Sequence, residues 1–183
     1  PMRLSRLAAP LVALALALPA AARPLKQAEA KALDKAVTAY LAAIGAGNAE
    51  GIVAAMPPRV VSVFAAATGM DEAKLKSTLV RQTGEVMKGT KVRDLSADQS
   101  ALDAGEETLA DGTRVTWVLV PTAFVSETGG KAMRNQQPLL AVREGRAWSF
   151  LRIDGKDRQD LAALAYPFLA GESFPGATSA PAE

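Results

Sequence analysis

Residues 113–153 read TRVTWVLVPTAFVSETGGKAMRNQQPLLAVREGRAWSFLRI, and this stretch decides the fold. Its first part, 113–126, is dense in β-branched and aromatic residues, which fit a pleated, packed surface, so a strand is expected there. Glu127-Thr128-Gly129-Gly130 supplies turn chemistry, because glycine reaches the positive φ that tight hairpins need, and 131–143 returns as a second strand. Glu144-Gly145 turns the chain again into 146–153. The three strands form an antiparallel meander that carries both tryptophans, Trp117 and Trp148.

Alternation sorts the meander into two faces if both turns pair their strands symmetrically. One face carries Val115, Trp117, Leu119, Ala123 and Val125 beside Arg134, Gln136, Leu140 and Val142, then Ala147, Leu151 and Ile153. The other carries Val118, Val120, Phe124, Met133, Leu139, Trp148 and Phe150. Both faces are substantially apolar. A single helical layer hides only one, so the second is expected to be covered by short helices or by a second subunit, and a homodimer through the Val118–Phe124–Phe150 face is the expectation.

Upstream, Leu33, Val37, Tyr40, Leu41 and Ile44 recur at helical spacing within 25–44, and Gly45 and Gly47 end that helix. Asn48 can cap a short helix stopped by Pro57-Pro58; 59–67 reads as a further short helix; and Asp71 caps another reaching about Lys88, with Val86 on its buried side. Weaker strands are expected at 91–97 and 106–110, the second returning through Asp111-Gly112. After the meander, 157–165 reads as a short helix, with Leu161, Leu164 and Phe168 directed to the core. The order of elements is α+β, with N-terminal helices packed on a curved antiparallel meander.

Composition narrows the chemistry. The chain has no cysteine and no histidine, which removes disulfides, thiolate nucleophiles, imidazole bases and the usual Cys/His zinc sites. No acidic cluster has the spacing of a calcium loop, so neither metal nor cofactor is expected. Residues 1–22 combine Arg3 and Arg6, an apolar run from Leu7 to Leu18 and small residues before a cut after Ala22, the three parts of a secretory signal. The run is shorter than the ~20 apolar residues of a membrane span. The mature protein is then exported, periplasmic in a Gram-negative source, and holds no stable membrane anchor. Of 21 basic residues against 19 acidic, two belong to this leader, so the remainder is neutral, and no basic run interleaves with aromatics as a nucleic-acid surface would. The domain is expected over 23–170, and 171–183, poor in apolar residues, as a disordered tail.

Over 25–169 the chain resembles the nuclear transport factor 2-like superfamily, a cone-shaped fold that includes ketosteroid isomerases and scytalone dehydratase. The resemblance is carried by Tyr40-Leu41-Ala42-Ala43-Ile44-Gly45-Ala46-Gly47-Asn48 before a second helix and by Arg143-Glu144-Gly145-Arg146-Ala147-Trp148-Ser149-Phe150 in a late strand. Asp154-Gly155, Tyr166-Pro167-Phe168-Leu169 and Phe174-Pro175 look like small exported bacterial proteins of this fold with no assigned activity. The resemblance implies a first helix lying across the sheet. A steroid-isomerase-type site would need a tyrosine on that helix, an aspartate base about two dozen residues later and an acidic donor on the sheet; only Tyr40 matches, since Glu50 is the sole acid between Asp34 and Asp71 and sits where a helix dipole favours it.

A non-catalytic binding domain for a small apolar molecule or a protein partner is therefore expected. Its pocket would have Trp117 and Tyr40 as apolar wall and Arg134 and Gln136 as polar end. The alternatives are an isomerase or hydrolase working through Tyr40 and carboxylates, and an accessory subunit in cell-envelope assembly.

Overall fold

A computed structural model of the chain describes residues 22–183. The expected leader lies outside the described residues apart from Ala22. After a two-residue strand, helices α1 (Gln27–Gly45), α2 (Ala49–Ala54), α3 (Pro58–Thr68) and α4 (Glu72–Lys88) follow in succession. Their boundaries follow local chemistry. Asn48 Oδ1 accepts the Gly51 N–H at 3.0 Å and Asp71 Oδ1 the Lys74 N–H at 2.8 Å, so each cap side chain satisfies one of the N–H groups that a helix start leaves unpaired. Pro58 stands at the first position of α3, where its missing N–H costs nothing, and that helix stops at Gly69 with φ 68°.

The sheet is antiparallel in every pairing. It contains β1 (Arg23–Pro24), β2 (Thr90–Ala97), β3 (Asp103–Thr108), β4 (Arg114–Thr128), β5 (Lys131–Glu144), β6 (Ala147–Arg152) and β7 (Thr178–Pro181), with α5 (Lys156–Ala165) and a 3-10 turn (Pro167–Gly171) between β6 and β7. The long pair β4–β5 is its spine, and each of the two strands changes neighbour half-way. β4 takes β3 along 114–117 and β2 along 122–128; β5 takes β7 along 133–136 and β6 along 139–144. β2 is broken between Arg93 and Ser96 by a bulge, with Asp94 at φ 55°. Such an insertion bends a strand and sharpens its twist.

Both hairpin turns of the spine are tighter or later than the sequence suggested. Gly129 and Gly130 alone (φ 58° and 76°) join Thr128 to Lys131, and the second turn is Gly145-Arg146, closing on the Glu144–Ala147 pair. Each departure shifts the register by two residues. A two-residue shift leaves every side chain on its own face, so the sorting into faces survives.

Helices cover both faces. On one side Leu33, Val37 and Tyr40 of α1 pack on Val118, Val120, Leu139, Ala141, Trp148 and Phe150. On the other, Val60 of α3, Ala162 and Ala165 of α5, Tyr166 and Leu169 pack on Val115, Leu140, Val142, Leu151 and Ile153. Each large side chain fully withdrawn from water contributes roughly 1.5–3 kcal/mol before entropy is counted, so these two clusters are the main source of stability. The fold is thus α+β, with helices packed on an open antiparallel sheet.

Four expectations change as a result. The face assigned to self-association is closed by α1: Val118, Val120, Leu139 and Phe150 are at most 3% exposed, so apolar area there does not argue for a homodimer. Residues 171–183 are not a structureless tail, because β7 pairs with Met133–Gln136 of β5. Val86 and Leu164, expected in the core, are 66% and 65% exposed. Val86 stands instead at the rim of the site described next.

Two local features lock the spine in place. Glu29, in the first turn of α1, accepts hydrogen bonds from both terminal nitrogens of Arg23 in β1 (2.8 and 3.0 Å), from Arg143 of β5 (2.7 Å) and from the Lys26 N–H (2.9 Å). The Arg143 guanidinium also lies over the Trp148 ring, 5.4 Å from its centroid, a cation–π contact. Across the sheet, the Trp117 indole occupies the space beside Gly105 of β3, where a Cβ would stand 2.2 Å from its Nε1. Only glycine leaves room for that ring.

Candidate ligand-binding site

Along β4 the positions that face α1 run Val118, Val120, Thr122, Phe124, Ser126, Thr128. Along β5 the same face runs Ala141, Leu139, Gln137, Asn135, Met133. The apolar residues lie where α1 covers the sheet, and the polar ones lie beyond it. There the sheet, α1, α2, α4 and the bulged β2 enclose a pocket of about 700 Å³, within the range of cavities that take small molecules.

The walls of this pocket are mostly apolar and come from separate elements: Leu41 and Ile44 of α1, Ile52 of α2, Val86 and Met87 of α4, Val92 and Leu95 of β2, with Gln82 and Thr83 of α4 and Thr90 of β2 as their polar members. Leu95 lies within the β2 bulge, and its Cδ1 approaches Gly45 closely enough to sit 3.3 Å from a Cβ built there. The floor is polar and internally ordered. Thr122 Oγ1 donates to the Gln137 carbonyl at 2.7 Å, and Asn135 Nδ2 donates to Ser126 Oγ at 2.9 Å while its Oδ1 accepts from Ser179 Oγ of β7 at 2.9 Å. Asn135 therefore joins β4, β5 and β7 at one point, and Thr178 and Ser179 of β7 form part of the lining.

The third region is charged. Arg152, at the end of β6, donates from Nε (3.1 Å) and Nη2 (2.8 Å) to Asp154, and Arg158 of α5 donates from Nη1 to the same carboxylate at 2.8 Å. Burial alone would raise the Asp154 pKa, but the two guanidiniums outweigh it and hold the carboxyl below its ordinary range. Beside this group Tyr40 is 6% exposed and its ring stacks on Phe150 with centroids 5.0 Å apart. Burial pushes its hydroxyl above the usual phenol value, against the opposing pull of Arg152 and Arg158.

Of the four residues assigned to a pocket from the sequence, the structure places only Tyr40 in this one. Trp117 is on the opposite face of the sheet, against Phe168 at 5.7 Å and among the residues packed on α3 and α5. Its Nε1 is buried without a hydrogen-bond partner. Arg134 and Gln136 are exposed on that same outer face, opposite Val125 and Ala123. The physical reason is the side that α1 takes: odd-numbered residues of β4 and even-numbered residues of β5 point away from it. Gln137 and Asn135, one position on from Gln136 and Arg134, are the polar side chains that reach the pocket. The switch from valine to threonine along the α1-facing positions of β4 was the readable signal for the site.

Among the described residues no three potential metal ligands converge, and no helix is long and apolar enough to cross a membrane. No family model, no curated protein and no solved structure matches the chain.

Proposed function

We propose that this chain is an exported binding domain of the nuclear transport factor 2-like kind, which holds a small apolar or amphipathic molecule between α1 and the sheet without turning it over. The observation that carries the reading is the pocket itself, with apolar walls drawn from four elements, a hydrogen-bonded polar floor, and Val86 two-thirds exposed at its rim. A valine side chain left in water beside such a cavity gains from any occupant that covers it. The long β4–β5 pair, with α1 packed on one face and a bulged β2 beside it, supports the assignment of the cone-shaped fold, and the leader-like segment 1–22 supports export.

The pocket's ionisable groups favour binding over catalysis. Among the described lining residues Asp154 is the one carboxylate, and two arginines keep it anionic and occupied. Tyr40 is displaced upward, away from neutrality. A general acid or base works best with a pKa near the working pH, and neither group is moved in that direction.

Titration with the neutral, environment-sensitive dye Nile red tests the reading. Binding is expected to give enhanced, blue-shifted emission, weakened at least tenfold by Phe124→Arg, which places a charge in the half-buried floor, with the far-UV circular dichroism unchanged. No enhancement with the unmodified protein, or equal affinity in the variant, overturns the assignment of this pocket.

A further inference from the structure

We propose that the ligand is an anionic amphiphile with a carboxylate head, its chain lying under α1 and α4 and its head held by Arg152 and Arg158. This rests on the pocket being a binding site, as argued above. Among the described residues the charges that line the pocket are Arg152, Asp154 and Arg158, so two cations share one anion and the site carries an excess positive charge. Asp154 occupies Nε and Nη2 of Arg152 and Nη1 of Arg158. Arg152 Nη1 and both Nε and Nη2 of Arg158 make no hydrogen bond to the described residues. The carboxylate thus fixes the two guanidiniums in place and leaves donors on each, the arrangement that suits a planar two-oxygen acceptor.

Position supports the same conclusion. Arg152 pairs with Leu139 in the row that begins with Val120, so it is the next group outward on the α1-facing side of the sheet. β6 and β2 lie on opposite sides of the β4–β5 spine. The charged end is therefore across the pocket from the apolar walls of β2 and α4, where Val86, Met87 and Val92 stand. A molecule that spans the pocket meets hydrocarbon at one end and guanidinium at the other. A wholly apolar occupant would desolvate the arginines without return, and a cationic head would be repelled. The Tyr40 hydroxyl, which feels the charge of Arg152, Asp154 and Arg158, is at the same end and can donate to the head.

Competition against Nile red with dodecanoate, 1-dodecanol and dodecyltrimethylammonium, each below its micelle concentration and with the full chain, separates head from tail. Both arginines are close to half exposed, so the head's contribution is screened, and dodecanoate is expected to displace the dye at about one tenth the concentration of dodecanol. Added salt should narrow that ratio. Arg152→Gln combined with Arg158→Gln should bring it close to one. Asp154→Asn should widen it, an opposite response that decides the matter even if the double variant does not fold. Equal displacement by dodecanoate and dodecanol, or strongest displacement by the cation, overturns the anionic head and leaves the binding pocket standing. Absence of Nile red binding in the unmodified protein overturns both.

Discussion

Glu29→Gln removes one negative charge from the most densely bonded carboxylate in the chain, and the consequence can be worked out with its sign. Arg23 is the largest influence on Glu29; with the Lys26 N–H and Arg143 it overcomes the cost of burial and lowers the carboxyl from 4.5 to about 2. A carboxyl depressed in the folded state adds stability above its unfolded pKa, and that stability disappears as pH falls to the folded value. A displacement of this size corresponds to about 3 kcal/mol at neutral pH, reduced by the hydrogen bonds that a glutamine retains, so a loss of roughly 2–3 kcal/mol is expected. At a urea m-value near ~2 kcal/mol/M this shifts the midpoint by about 1 M. Urea melts followed by tryptophan fluorescence at pH 7, 4.5 and 3 give the difference between the two proteins, from which groups common to both cancel. The gap should be full at pH 7, should begin to close below about pH 4.5, and should largely vanish near pH 2. A gap of the same size at pH 7 and pH 3 would refute the ionic origin, and a gap below about 0.5 kcal/mol at pH 7 would refute the network itself.

Gly105→Ala places a Cβ 2.2 Å from Trp117 Nε1 and 2.5 Å from Cε2, so the indole must leave its seat; a loss of about 1–3 kcal/mol and an altered near-UV circular dichroism spectrum are expected, and an unchanged spectrum would show the ring to lie elsewhere. Trp148→Ala empties a site that is 7% exposed and should cost about 3–5 kcal/mol by chemical denaturation, with a cost under ~1 kcal/mol contradicting the packing under α1. Truncation after Gly176 removes β7, whose four residues are all exposed; stability should change by less than about 1 kcal/mol, while the bared edge of β5 should raise aggregation in light scattering. A large loss of stability would mean that β7 packs rather than merely pairs.

The meander, the helices and their caps were legible because each rests on nearby residues: alternation on a pleat, a side-chain oxygen three residues before a free N–H, a glycine where φ is positive. The two faces were legible for the same reason. Which face belongs to α1 was not, because Val118, Val120 and Leu139 on one side are as apolar as Val115, Leu140 and Val142 on the other, and the hydrophobic effect has no direction. The misplacement of Trp117, Arg134 and Gln136 follows from that single ambiguity. Arg152, Asp154 and Arg158 straddle the end of a strand and the start of a helix, so their convergence depends on how the chain turns at Gly155, whose φ of 141° no local pattern announces.

β7 shows a different limit. Within 171–183 Phe174 packs half-buried on the core, while all four residues of β7 are exposed, as the composition of that stretch implies. What composition does not register is the unpaired backbone on the outer edge of β5. Between Met133 and Gln136 that strand has no other neighbour on the β7 side, and a row of free N–H and C=O groups pairs with whatever extended chain is near. A four-residue strand whose side chains are all exposed can therefore be held through its main chain, fastened here by one side-chain bond, Ser179 to Asn135. Because Asn135 also forms part of the pocket floor, the last strand of the chain and the polar part of the site share a hydrogen-bond network, and neither can shift without loosening the other.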